Sequence, residues 1–351
     1  MNNTKNSQFY FAPLEGITGY IYRNAFHETF GVADKYFIPF ISPGAKKKLT
    51  EKERNDILPE HNAGMNAVPQ ILSKNAQDVV ATCEMLKELG YKEVNLNIGC
   101  PSGTVVSKGR GAGLLGDLRV LNQFLEEIFS DTVLPVSIKT RIGMDEESEW
   151  EDILKIYNQY PIKELIIHPR LRKDFYKGMP NYEAFSYAEI HSKNPICYNG
   201  DINTLQDYIN LVTRFPRVDK WMIGRGFLRN PFLLKQLQEF EQEREIYSGN
   251  SLSYTNLKEP QSREGSNDSA FLKQFHTTFP KSDDFNRLKQ FHDSLLTGYK
   301  NYLSGDTPVL FKMKELWFYM REMFPEDEKL YKKVKKAKNL LEYESIVDSA
   351  L

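Results

Sequence analysis

Along residues 9–240, short and almost continuously apolar runs alternate with longer stretches whose apolar residues recur at helical spacing. The runs occupy 9–13, 35–40, 67–72, 93–97, 136–140, 164–168, 196–199 and 220–224. Several are rich in Val and Ile with few polar positions, as parallel strands buried on both faces are. Between them, 76–89 sets Val79, Val80, Cys83, Leu86 and Leu89 near one helical face, and 118–129, 150–157, 203–212 and 231–240 read the same way. Asn203 and Asn230 stand as expected N-caps, and Pro231 as a first helical residue. Residues 43–64 are polar and glycine-punctuated, which predicts a long loop with little helix. Eight strands with crossovers in about 230 residues predict a TIM (β/α)8 barrel. The alternative, a doubly wound open sheet, usually has fewer strands.

The pattern changes twice more. Residues 241–284 are polar and rich in Ser and Asn, and read as a linker or disordered insertion. Helical periodicity returns over 285–351: Leu288, Phe291, Leu295, Tyr299 and Tyr302 form one stripe, Phe311, Leu316, Phe318, Tyr319 and Met323 a second, and Leu340, Leu341, Tyr343 and Ile346 a third. The division expected is therefore a barrel (1–240), a polar connection (241–284) and a small all-helical C-terminal domain (285–351).

Composition narrows the class. With 40% hydrophobic and 26% charged residues, the 351-residue chain is neither disordered nor collagen-like. No apolar run approaches the roughly 18 residues of a membrane helix. No basic-then-apolar leader opens the chain, and the three cysteines are too scattered for a disulfide framework or zinc site. The expectation is a cytoplasmic, monomeric protein without metal. The net charge of −1 excludes a chain basic throughout, but not a local basic patch. Lys329 to Lys338 holds six lysines in ten residues, which reads either as a solvated helix face or as a surface for phosphates.

In a barrel, chemistry sits where strands end. The expected strand ends carry Pro13-Leu14-Glu15, Gln70, Asn97 to Pro101, Lys139-Thr140-Arg141, His168-Pro169-Arg170, Asn199-Gly200-Asp201 and Gly224-Arg225. A structural protein has no use for capable residues all round one rim. Glycines at the last two ends, followed by helix N-termini and by Arg225, predict a phosphate site.

The motifs FAPLEGITG (11–19), NLNIGCP (95–101), SKGRGAGLL (107–115), KTRIG (139–143), NGDI (199–202) and IGRGFLRNP (223–231), with His168, resemble the tRNA-dihydrouridine synthases. The resemblance implies an FMN-dependent barrel with a helical tRNA-binding domain. Such enzymes reduce the C5=C6 bond of selected uridines, with NADPH (or NADH) as electron donor. It implies that Pro13, Leu14, Glu15, Gln70, Lys139 and His168 surround the flavin, that Asn199, Gly200, Asp201, Gly224 and Arg225 hold its ribityl phosphate, and that Cys100 is the catalytic acid. Two positions depart from the family pattern: Gly19 stands where many members have Asp, and Leu14 where many have Met.

The chemistry agrees with that assignment. Hydride delivered to C6 of uracil leaves charge at C5 and O4, so a positioned acid must protonate C5. A thiol serves only while protonated, and an ordinary thiol, with a pKa of about 8.5, is mostly so near neutral pH. Cys83 and Cys197 read as small buried hydrophobes. A target base must be extruded from folded RNA to reach such a site. Asn97, Lys108, Arg110 and Arg141 are candidate contacts to the target nucleotide, and Lys312, Lys314, Lys332, Lys333, Lys335 and Lys336 to the tRNA body. The rival readings are another FMN barrel acting on a free pyrimidine, as dihydroorotate dehydrogenase does, a synthase acting on ribosomal RNA, and a barrel that binds RNA without catalysis.

Overall fold

The structure is a computed structural model that describes residues 6–44, 49–248, 282–324 and 328–351. Strands β1 (Gln8–Phe11), β2 (Lys35–Ile41), β3 (Ala67–Ile71), β4 (Val94–Ile98), β5 (Val136–Arg141), β6 (Leu165–His168), β7 (Ile196–Asn199) and β8 (Lys220–Ile223) close into a barrel in sequence order. Neighbours pair in parallel throughout, and β8 returns to β1. All eight expected runs are strands, with ends within two residues of expectation.

Strand periodicity explains how one barrel supplies both a core and a site. Successive side chains point to opposite faces. The inward positions Tyr10, Phe37, Val68, Ile166, Cys197 and Met222 form an apolar plug inside the barrel. The next inward residue along five of these strands is Ala12, Gln70, His168, Asn199 or Gly224, and these line a cleft at the strands' C-terminal ends. Below the plug, Glu93 and Glu164 are buried and paired with Lys35, Lys163 and Lys220. The outward positions, such as Phe11, Tyr36, Ile98, Ile138, Ile167 and Trp221, are buried against helices.

The surrounding helices are α1 (Tyr20–Phe30), α2 (Glu51–Ile57), α3 (Ala76–Glu88), α4 (Gly103–Val106), α5 (Leu118–Asp131), α6 (Glu149–Tyr157), α7 (Tyr182–His191), α8 (Leu205–Arg214), α9 (Arg225–Arg229) and α10 (Leu233–Ser248). The loop expected over 43–64 instead carries two short helical segments, over 51–57 and 59–62. Thr50 and Glu53 form a capping box that starts α2, and a 3₁₀ turn covers Pro59–Asn62. Asp56 of α2 accepts the Tyr20 N–H at 2.6 Å and so caps α1 from outside its own sequence. A Cβ on Gly19 would lie 3.2 Å from that carboxylate, which fits glycine at this departure from the family pattern. The N-cap expected at Asn203 belongs to Thr204, whose capping box with Asp207 starts α8 one residue later than expected. The Asn230 side chain accepts the Phe232 N–H at 3.1 Å ahead of α10. Helix α10 continues to Ser248, into the segment read as a linker, and 249–281 lies outside the described residues.

Among the described residues, four α-helices follow: α11 (Ser282–Tyr302), α12 (Asp306–Met320), α13 (Glu328–Lys336) and α14 (Leu340–Asp348). Phe291 of α11 packs edge-on against Tyr22 and Phe30 of α1, at 5.4 and 5.0 Å. The first expected stripe is buried except for Tyr302, which is half-buried. The second is rotated: α12 buries Val309, Leu310, Met313, Leu316, Trp317 and Met320, and leaves Phe311 and Phe318 exposed. Those two aromatics are seven residues apart and so share one face, which is the outer one. Leu341 is exposed as well.

Candidate active site

The cleft is open to solvent on one side and holds a cavity of about 150 Å³. Pro13, Leu14, Glu15, Gln70, Asn97, Cys100, Lys139, Arg141, His168, Asn199, Gly200, Gly224 and Arg225 all line it. Residues from seven strand ends, spread over more than two hundred positions of sequence, therefore meet in one place. Of the expected flavin set, Asp201 stands just behind the lining.

A ladder of side-chain amides crosses the cleft floor. Asn95 donates to Ser137 Oγ (3.0 Å), Gln70 to Asn95 Oδ1 (2.7 Å), and Asn97 to Gln70 Oε1 (2.8 Å). Asn97 Oδ1 then accepts the backbone N–H of Cys100 at 2.9 Å and of Gly99 at 3.2 Å. Each amide donates at one end and accepts at the other, so the chain has a single consistent direction. The Cys100 carbonyl accepts the Ala112 N–H at 3.1 Å. Gly111 packs so tightly here, at φ +56°, that a Cβ would fall 3.0 Å from Cys100 Cβ. The backbone that carries the half-buried Cys100 is thus fixed from both sides, by the ladder and by the glycine-rich loop after it.

The opposite wall is cationic. The Lys139 ammonium has no hydrogen bond or ion pair among the described residues. Burial, with help from Arg141, lowers its pKa to about 8. His168 is held well below the usual histidine range by burial and by Arg141, Lys139, Arg170 and Arg225. Asp201 pairs with Arg170 at 2.5 Å and with Arg225 at 2.7 Å. Although burial opposes it, Arg170 and Arg225 hold this carboxyl below its ordinary value. Tyr176, half-exposed on the loop after β6, lies between the guanidinium groups of Arg141 (5.4 Å) and Arg225 (4.7 Å).

Several expected roles change. Asp201 faces two arginines, and a carboxylate would repel a phosphate, so its geometry fits it to orient Arg225 rather than to hold the anion. Glu15 turns its carboxylate to Lys52 at 2.5 Å. Arg141 is buried, and donates to the carbonyls of Gly99 (3.1 Å), Leu171 (2.7 Å) and Phe175, bracing two loops. Lys312 reaches Glu315 and the Gly16 carbonyl, which ties α12 to the barrel loop after β1, and Lys314 reaches the Ala337 carbonyl within the helical region. Lys332, Lys333, Lys335 and Lys336 are exposed on α13 while Leu330, Val334 and Ala337 are buried. Lys108 is exposed and Arg110 half-buried on the loop past Cys100. Sequence reading assigned no role to Asn95, Arg170 or Tyr176. Arg170 was visible two residues beyond a strand end, but nothing in one sequence marks Tyr176, which sits deep in a loop.

A closed parallel barrel with a polar, cationic cleft at its strand ends defines a barrel enzyme. The family model described as dihydrouridine synthase (Dus) matches residues 10–275, and the chain belongs to that family, whose members are oxidoreductases acting on CH–CH bonds. It is similar to tRNA-dihydrouridine synthase B of Pasteurella multocida (strain Pm70), with 29% identity over 249 residues, covering 70% of this chain and 74% of that one. A probable tRNA-dihydrouridine synthase of Staphylococcus epidermidis (strain ATCC 12228) is 30% identical over 247 residues, covering 65% and 71%. One from Staphylococcus aureus (strain COL) is 29% identical over 243 residues, covering 65% and 70%.

Proposed function

We propose that this chain is a tRNA-dihydrouridine synthase that uses FMN and NADPH to reduce the C5=C6 bond of uridines in tRNA. The observation that carries the reading is the meeting, in one cleft, of the half-buried thiol of Cys100 with the unpartnered ammonium of Lys139. Membership of the family and relatives named for tRNA support the substrate.

The donor set fits FMN. Gln70 has one N–H and one lone pair to spare after the amide ladder. Lys139 suits an electron-rich ring edge. Asn199, Gly200, Gly224 and Arg225 suit a phosphate: Gly224 leaves room beside Ala12 that a Cβ, at 3.4 Å, would fill. When bound, FMN supplies the hydride for uracil C6, recovered from NADPH. Lys139 and Arg225 then neutralise negative charge, the amide ladder fixes Cys100 against the substrate face, and the Cys100 thiol gives its proton to C5. Lys108 and Arg110 suit the phosphates of the target nucleotide, and the α13 lysines those of the tRNA body.

The test is a map of dihydrouridine across total RNA from a strain lacking this gene. Loss at defined tRNA positions is expected. Loss confined to ribosomal RNA would move the substrate, and an unchanged map where no second synthase is present would overturn the reading.

A further inference from the structure

We propose that Arg170 holds His168 as the neutral tautomer protonated on Nδ1, so that His168 offers the cleft a fixed hydrogen-bond donor and transfers no proton. The argument starts from what arginine lacks. A guanidinium has five N–H donors and no acceptor. Arg170 Nη1 lies 3.1 Å from His168 Nε2, so the ring nitrogen must accept and carries no proton. In a neutral imidazole the proton then sits on Nδ1.

Arg170 is well placed to impose this. It is 1% exposed. Its Nη1 also donates to Asp201 Oδ1 (3.1 Å), and its Nη2 donates to Asp201 Oδ2 and the Gly178 carbonyl (both 2.5 Å). Its backbone N–H donates to the His168 carbonyl at 2.7 Å. A guanidinium pinned on three sides cannot turn away to admit a proton on Nε2. Protonation would also set the imidazolium among Arg170, Arg141, Lys139 and Arg225, with Asp201 already shared by two of them. The lowered proton affinity of His168 agrees with this geometry. Its Nδ1 has no partner among the described residues, and the ring lines the cleft.

Two consequences follow. Whatever group meets His168 must accept a hydrogen bond there, as a carbonyl or phosphate oxygen does. The histidine is also removed as a proton source for the reaction, leaving Cys100 and Lys139. The tautomer stands on the geometry alone, whereas the identity of the acceptor rests on the cofactor reading above.

The experiment is nitrogen NMR of the full chain labelled with ¹⁵N at histidine, His168 being assigned by the loss of its signals in His168→Asn. Near neutral pH the expected pattern is an unprotonated Nε2 and a protonated Nδ1. A protonated Nε2, or two protonated nitrogens, would overturn the proposal. Arg170→Lys keeps the charge but lacks the fork that spans His168 and Asp201, so the two nitrogens are expected to move toward a tautomer-averaged position. An unaltered pattern in Arg170→Lys would contradict the role of Arg170. If that variant does not fold, the wild-type pattern still decides the tautomer, and Asp201→Asn, which loosens Arg170, is expected to begin the same averaging. Comparing the protein with FMN bound and removed separates the cofactor reading: a moving Nδ1 signal supports both, and a static signal with the tautomer intact supports the tautomer and contradicts the cofactor placement.

Discussion

Asn97 joins the catalytic loop to the barrel floor: its side-chain oxygen accepts the Cys100 backbone N–H at 2.9 Å while its amide nitrogen donates to Gln70 at 2.8 Å. Asn97→Ala would leave Gln70 and the backbone N–H groups of Gly99 and Cys100 without this partner, and free the loop that carries the thiol to drift. A misplacement of about 1 Å at a reacting group costs on the order of 10²-fold in rate. Uridine reduction by Asn97→Ala should fall by about that factor, with flavin content near wild type. Wild-type turnover would mean that the glycine-rich loop alone positions Cys100.

The Arg225 guanidinium has one hydrogen-bonded partner among the described residues, Asp201, and an edge on the cleft. Arg225→Ala should weaken FMN binding by roughly 1.5–3 kcal/mol, the worth of a charge-assisted hydrogen bond. Equilibrium dialysis of the flavin reads this directly. Unchanged retention would place the phosphate elsewhere in the cleft.

The barrel and most of the cleft were legible because both follow from local chemistry. Runs such as Ile196–Asn199 are apolar until their last residue, and that polar ending is what a strand leading from core to cleft looks like. What stayed hidden depended on contacts distant in sequence. Helix α2 begins with a Thr50–Glu53 capping box inside a stretch otherwise read as loop, and its importance lies in Asp56 reaching Tyr20. Phe311 and Phe318 were read as core because they are apolar, whereas α12 has a better apolar face on its other side. Lys312 and Lys314 carry the charge of an RNA contact, but their partners, the carbonyls of Gly16 and Ala337, are backbone groups that no sequence pattern displays.

The exposed lysines of α13 give a salt test. Each phosphate contact releases counterions, so tRNA affinity should fall steeply as salt rises. Neutralising Lys332, Lys333, Lys335 and Lys336 together should flatten that slope, while NADPH oxidation without RNA should respond little. A slope equal to wild type would make the run a solvated helix face.

At the base of the barrel, Glu164 is buried between Lys35 (3.4 Å) and Lys220 (3.5 Å) and accepts the Tyr10 hydroxyl at 3.0 Å. Glu164→Ala would leave Lys35 its bridge to Glu93 but take an acceptor from the buried Tyr10 hydroxyl, and should cost about 1–3 kcal/mol in denaturant unfolding. Nearby, burial raises the pKa of Glu93, but Lys35 and Lys163 outweigh it and hold the carboxyl below its ordinary value of 4.5. A depressed folded pKa contributes stability above the unfolded value and loses it as pH falls through the folded one. The wild type should therefore weaken below about pH 4.5, and Glu93→Gln should show a smaller acid loss. Equal acid loss in both would remove Glu93 from the account.

The central claim is that Cys100 completes the reduction of an RNA uridine by protonating C5. It is tested most directly by reducing the bound flavin in advance, mixing with tRNA that lacks dihydrouridine, and following flavin reoxidation without oxygen. Wild-type protein should reoxidise with dihydrouridine formed in step. Cys100→Ala should bind and reduce flavin normally yet reoxidise about 10²–10⁴-fold more slowly, the usual range for loss of a general acid. Reoxidation of Cys100→Ala at the wild-type rate would show that another group, Lys139 foremost, supplies the proton, and would contradict the role given to Cys100.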